Sequence, residues 1–145
     1  MIKLEQSIFK TASQVEHVLN AILLKRFGIT FAEFLILYKV YKDSNSSVTD
    51  IQDDIQYKMD SASIKTKKLR DLGFVVKERR KDDERKVCVK ITDSGCEIVK
   101  LVIVEHQQCI YDSIGNTFTK EDGETLFILL DKYRKAFHQY TDTIN

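Results

Sequence analysis

The sequence predicts a mainly α fold with one small β-hairpin (α+β), and three observations carry that prediction. Apolar residues recur at helical spacing toward both ends of the chain. Two short helical patterns separated by a break of a few residues lie between them, and over residues 74–91 the period then changes from 3.6 to 2. The 145 residues are 43% hydrophobic and 31% charged, a composition that fits one compact domain and argues against disorder. One domain is therefore expected over 1–145, with the helix-turn-helix and hairpin at 30–92 and helical parts at 1–28 and 93–145.

Taken in order, Leu4, Ile8, Ala12, Val15, Leu19 and Ile22 draw one stripe along a first helix, which Gly28 ends. Thr30 and Glu33 form a capping box and Ile29 and Phe34 a hydrophobic staple, so a second helix starts here and runs to about Lys42. The cluster Asp43 to Ser47 reads as a loop. Thr49 and Gln52 form a second capping box opening a short helix through Ile51 and Ile55, and after a break at Tyr57 and Lys58 another helix runs to Leu72. Its start falls between Lys58 and Asp60. Its end is marked by Gly73, with Leu69 and Phe74 where the hydrophobic contact of a Schellman cap belongs.

Val75 and Val76 lead into a hairpin whose polar tip is Lys81 to Glu84, and Val87, Val89 and Ile91 alternate with polar neighbours on the return. Thr92 or Asp93 caps a long helix through Ile98, Leu101, Val102, Val104 and Ile110, ended by Gly115 and Asn116. Thr119, with Asp122 three residues on, opens a last helix expected to bury Leu126, Phe127, Leu130, Tyr133 and Phe137.

Lys and Arg total 23 and Asp and Glu 22, which hides a strong asymmetry. From Lys58 to Lys90 there are 12 basic and 6 acidic residues, a charge of +6, which leaves −5 for the remainder. A local cluster of this kind is a footprint for a polyanion, because neutralising phosphates releases counterions whatever the global charge. A solvated charged surface is the plainer reading. Placing the helix that ends at Leu72 at about 100° per residue puts Ala62, Thr66 and Leu72 near Leu69 on a core face. Asp60, Ser63, Ile64 and Lys67 belong to the outward side, with Lys68 and Arg70 at its margins, and Ser61 is a further candidate for DNA contact. Ser can bond base edges, an apolar side chain can meet a thymine methyl, and Lys can reach guanine or phosphate. Ile64 has a second reading, as packing against the preceding loop. At the hairpin tip, Arg79, Arg80, Lys81, Arg85 and Lys86 surround Asp82, Asp83 and Glu84, so the tip is either self-neutralised or a set of cations braced by acids for a minor groove and its phosphates.

The residues resemble the MarR family of winged-helix transcriptional regulators, most specifically from Thr49 to Gly95. The resemblance is carried by the helix end Lys67 to Gly73, the wing Asp83-Glu84-Arg85-Lys86 and the segment Ile91 to Gly95. Within that family the chain is most similar to the staphylococcal SarA-type branch, through Ile29 to Phe34, Tyr57-Lys58 and Asp83-Glu84-Arg85. The resemblance implies a winged helix-turn-helix flanked by N- and C-terminal dimerisation helices. It also implies a homodimer on double-stranded DNA with a pseudo-palindromic or AT-rich operator, Arg85 as the wing arginine, Asp83 and Glu84 as its shapers, and a cleft for a small-molecule effector. The terminal apolar stripes independently suggest a partner surface, or an intramolecular bundle.

Other functions find less support. His17, His106 and His138 are scattered, and no nucleophile motif, Gly-rich phosphate loop, metal-ligand spacing or cofactor motif occurs. No catalytic residue, metal or cofactor is therefore expected. The main rival is a winged-helix module that presents its basic surface to a protein. Cys88, Cys96 and Cys109 read as buried or half-buried structural thiols, with Cys88 and Cys109 the redox candidates. No run of 18 apolar residues and no signal segment is present, so no membrane partner and a cytoplasmic location are expected.

Overall fold

The computed structural model describes residues 2–54, 62–115 and 117–142. Their order is α1 (Ile2–Phe27), α2 (Phe31–Lys42), α3 (Val48–Asp54), α4 (Ala62–Asp71), β1 (Val75–Arg79), β2 (Val87–Ile91), α5 (Asp93–Ile114) and α6 (Lys120–Asp142). The expected helical chain with a single hairpin is what forms. Contacts divide it into two compact units, Met1–Val102 and Ile103–Asn145. Ile55 and the expected start of the helix at Lys58 to Asp60 lie outside the described residues, as does Ser61. Among the described residues no helix is long and apolar enough to cross a membrane.

In the first unit, local caps fix where each helix begins. Thr30 accepts from the Glu33 backbone N–H while the Glu33 carboxylate accepts from Thr30 N at 2.8 Å, closing the expected capping box. Such a cap is worth about 1 kcal/mol. Asn20 of α1 adds a bond from outside, its Oδ1 accepting from Phe31 N at 2.7 Å. The cap of α3 corrects the sequence reading. Ser47 and not Thr49 is the cap, its Oγ accepting from Asp50 N while Asp50 accepts from Ser47 N and Oγ at 2.7 Å. The carboxylate of Asp50 is an acceptor for both Ser47 donors, and this starts the helix at Val48.

The core of this unit gathers Leu23 of α1, Ile36, Leu37 and Val40 of α2, Ile51 of α3, Leu69 of α4, Val75 and Val89 of the hairpin and Val99 of α5, all essentially inaccessible to water. Ala62, Thr66 and Leu69 form the buried face of α4, as the helical placement requires, but Leu72 is 42% exposed. The helix has already ended there. Phe74 N donates to Leu69 O and Gly73 N to Arg70 O, both at 2.9 Å, the paired bonds of a Schellman cap, and Gly73 has φ of 80°.

The hairpin is antiparallel, with Val75 opposite Ile91, Lys77 opposite Val89 and Arg79 opposite Val87. Its burial departs from the expected alternation: Cys88 and Val89 are both buried whereas Val87 is exposed. Val87 pairs with Arg79 at the tip end, beyond the helices. Nearer the base, the outer edge of β2 is covered because Val89 N donates to Ser46 O of the α2–α3 loop at 2.9 Å. Thr92 then ties three elements together. Its Oγ1 donates to Gly73 O at 2.7 Å and accepts from Gly95 N, while its own N–H donates to Phe74 O. Gly95 sits so close that an added Cβ would lie 2.3 Å from Phe74 O and 2.7 Å from Ile91 Cγ1.

In the second unit, Thr119 and Asp122 form the expected reciprocal cap of α6, with bonds of 2.7 to 3.1 Å. The expected burial along α6 is not met within the single chain. Leu126, Leu130 and Phe137 are exposed, and Phe127 is 73% exposed. Periodicity identifies which residues share a face, and whether that face is covered depends on what packs there.

The close approach at Gly95 makes a direct prediction. Gly95→Ala should destabilise the protein by about 1–3 kcal/mol in denaturant unfolding, since the obstructing atom is backbone and cannot swing away. Ser94→Ala, at an exposed neighbour, should stay within about 0.5 kcal/mol of the parent.

Candidate nucleic-acid interface

α4 presents two faces of opposite character. Thr66 satisfies its own hydroxyl by donating to Ala62 O at 2.7 Å and so tolerates full burial beside Leu69. On the other side Ser63, Ile64 and Lys67 are exposed, and Ile64 is 66% exposed. The loop before α4, against which the second reading of Ile64 would pack it, lies outside the described residues. Gln52 of α3 accepts from Ala62 N at 2.8 Å and holds the start of the described helix against the preceding one. Lys68 is half-buried, and its Nζ lies 2.8 Å from Glu33 Oε2, an ion pair with a carboxylate that is almost fully buried.

The wing is partly self-neutralised. Arg80 Nε and Nη2 donate to the two oxygens of Asp82 at 2.9 and 2.7 Å, a forked pair. The bond from Arg80 holds the Asp82 carboxyl below its ordinary value, and the bond to Asp82 raises Arg80 further. Arg79 Nη1 reaches Glu84 O at 3.5 Å. Asp83 shapes the turn from within, its Oδ1 accepting from Arg85 N and its carbonyl accepting from Lys86 N. At the base, Lys90 and Glu78 form an ion pair at 2.6 Å, which raises Lys90. Among the described residues, Lys67, Lys81, Arg85 and Lys86 are exposed and form no ion pair. Both sequence readings of the tip are therefore partly realised: Arg80 is committed to Asp82 and Arg79 reaches Glu84 O, while Lys81, Arg85 and Lys86 are exposed.

The sequence reading places Gln52 and Glu33 in capping boxes and not in contact with α4. Glu33 was readable as a cap and not as the partner of Lys68, which is 35 residues away. Cys88 is buried, its Sγ donating to Glu78 O at 3.5 Å, Cys96 is half-buried, and Cys109 is exposed, so the structural-thiol reading does not extend to Cys109. Among the described residues, no group of three or more His, Cys, Asp or Glu is arranged to hold a metal ion. The second unit has a largely apolar cavity of about 600 Å³ lined by His106, Phe118, Gly123, Phe127 and Ile128.

The arrangement can be set beside known proteins. Residues 19–102 match the family described as transcriptional regulator SarA/Rot. The chain is 32% identical over 117 residues to the HTH-type transcriptional regulator SarU of Staphylococcus aureus, an overlap of 79% of this chain and 45% of SarU. It thus spans less than half the length of that relative. The fold is that of a MarR/EmrR family transcriptional regulator from Acinetobacter sp. ADP1, with a TM-score of 0.80 at 22% identity over 94% of this chain and 96% of that one. It is also that of Sco3205, a MarR family transcriptional regulator from Streptomyces coelicolor solved in complex with DNA, with a TM-score of 0.75 at 18% identity over 92% and 84% of the two chains. These relatives are regulators and not enzymes, in line with the sequence expectation.

The Arg80–Asp82 fork predicts a sign. A carboxyl depressed in the folded state contributes stability above its unfolded value near about 3.9, and loses it as pH falls through the lower folded value. The fork should therefore persist from neutral pH down to the carboxylate range. In Arg80→Ala the Asp82 midpoint, followed by NMR titration, should rise toward the unfolded value; an unchanged midpoint would contradict the assignment.

Proposed function

We propose that this chain, which belongs to the SarA/Rot family of transcriptional regulators, is a cytoplasmic homodimeric, sequence-specific DNA-binding regulator that places α4 in the major groove and its wing at the adjacent minor groove or phosphates. One observation carries the reading: α4, with Ser63, Ile64 and Lys67 exposed, is followed in the chain by a hairpin whose Lys81, Arg85 and Lys86 are exposed and, among the described residues, form no ion pair. In this reading Ser63 and Ile64 meet base edges, Lys67 reaches guanine or phosphate, and Arg79 and Arg85 position the backbone, while Asp83 and Glu84 hold the turn that presents Arg85. Arg80, Lys81 and Lys86 complete the basic surface, and Ser61, outside the described residues, is a further proposed contact.

Homodimerisation is supported by apolar side chains that a single chain leaves in water. Phe9 on α1, Val104 on α5 and Phe127 on α6 are each at least 60% exposed, more than an isolated surface helix needs. A small-molecule effector, as the resemblance implies, has a candidate place in the cavity lined by Phe118 and Phe127, whose size lies within the range of small-molecule sites.

Fluorescence anisotropy with the duplex that the protein enriches most from a randomised pool tests the proposal. Arg85→Ala should weaken binding to this duplex and to a scrambled one alike and lower the salt slope by about one. Ile64→Ala should reduce preference for the enriched duplex by about tenfold, the scale of one mismatched base pair, with scrambled-duplex affinity unchanged. Binding that ignores sequence and survives both changes would favour the protein-interaction module instead. Sedimentation equilibrium should give a dimer at micromolar concentration; a monomer would overturn the dimeric reading.

A further inference from the structure

Among the described charged residues of the first unit, Glu33 stands apart because it is buried and serves two elements with one atom. Its Oε2 accepts from Thr30 N at 2.8 Å, in the cap of α2, and from Lys68 Nζ at 2.8 Å, on α4. The residue is 5% exposed. A carboxylate so removed from water is costly unless charged or polar donors satisfy it, so the partnership with Lys68 is a demand of Glu33 as much as an option for Lys68.

The geometry points to Glu33 and Lys68 as a positioning pair that fixes the rotation of α4 about its own axis and so decides which side chains reach base edges; this inference rests on the reading of α4 as a recognition helix. Apolar packing through Ala62 and Leu69 sets how near α4 lies to the core, but such contact is non-directional. Lys68 stands about 100° around the helix from Leu69, off the packing line. A short charge-assisted bond at that angle resists rolling in a way that burial of Leu69 cannot. With Gln52 holding Ala62 N and the Schellman cap holding the far end, α4 has a directional anchor at its start, side and finish. Rolling it would move Ser63, Ile64 and Lys67 together. Lys68 accordingly acts through Glu33, in place of the phosphate contact expected from its position at the margin of the exposed face.

The test uses Lys68→Met, Glu33→Gln and the double variant of the full chain, titrated with the wild-type-enriched and scrambled duplexes over a range of salt. A positioning pair predicts that both single changes lower the preference for the enriched duplex by about tenfold, with coupled residues giving no further loss in the double variant. The salt slope should stay at its wild-type value. A slope that falls by about 0.9 in Lys68→Met with preference retained would make Lys68 a phosphate ligand and overturn the inference, as would additive losses or no loss. Hydrogen exchange in the free protein gives a second measure: the amides from Ile64 to Arg70 should lose protection in both single variants, and unchanged protection overturns the pair. If wild-type protein shows no preference between duplexes, the DNA-binding proposal fails and exchange alone decides the role of the pair.

Discussion

The first unit depends on one crowded junction, where the end of α4, the start of β1 and the start of α5 meet within a few bonds of Thr92. Phe74 is its centre: its N–H closes the Schellman cap on Leu69, and its carbonyl accepts from Thr92 while leaving no room for a side chain on Gly95. Thr92 in turn bonds Gly73 O. The stop of one helix is therefore the brace of the next, and the hairpin leaves from the same place. Any change that loosens this junction alters α4, the hairpin and α5 at once. A glycine at 95 is required by packing and not by backbone conformation, since only the position without a Cβ permits this approach.

From that junction the functional asymmetry follows by elimination. α4 has few ways to lie: Leu69 and Thr66 must face the core, Gln52 holds Ala62, and Glu33 claims Lys68. Ser63, Ile64 and Lys67 remain outward, with Arg70 and Asp71 exposed at the end of the helix, and an exposed Ile64 among them is something solvent alone does not call for. The wing shows the same division of labour. Asp82 pairs with Arg80, and Asp83 accepts from the backbone of Arg85 and Lys86, so the side chains of Arg85 and Lys86 stay exposed and outside any ion pair among the described residues. The chain as a whole is close to neutral, and its basic excess is concentrated where these exposed residues lie.

The legible part of the sequence was the part written at short range. The caps at Thr30 and Thr119 and the stop at Gly73 each involve residues within a few positions, and each formed as read. At α3 two hydroxyls competed, and Ser47 won because Asp50 was placed to accept both of its donors. The hairpin's faces were misjudged where a distant segment intervened, with Ser46 covering β2 near Cys88 and Val89 while Val87 stood beyond the helices. The pairing of Lys68 with Glu33 was out of reach, since spacing places a residue on a helix and says nothing of a carboxylate 35 positions earlier. On α6 the apolar residues share a face as read, but Leu126, Phe127, Leu130 and Phe137 stay exposed, because periodicity records which residues share a face and not what packs on it.

The central claim is that α4 and the wing read one duplex together, twice over in a dimer. Chemical footprinting of the enriched duplex tests it most directly, using methylation interference at guanine N7 for the major groove and hydroxyl-radical protection for the minor groove. The account predicts two symmetry-related patches of major-groove interference about one helical turn or a multiple apart, each flanked by minor-groove protection that disappears in Arg85→Ala. A single unsymmetric patch, or protection without major-groove interference, would contradict it.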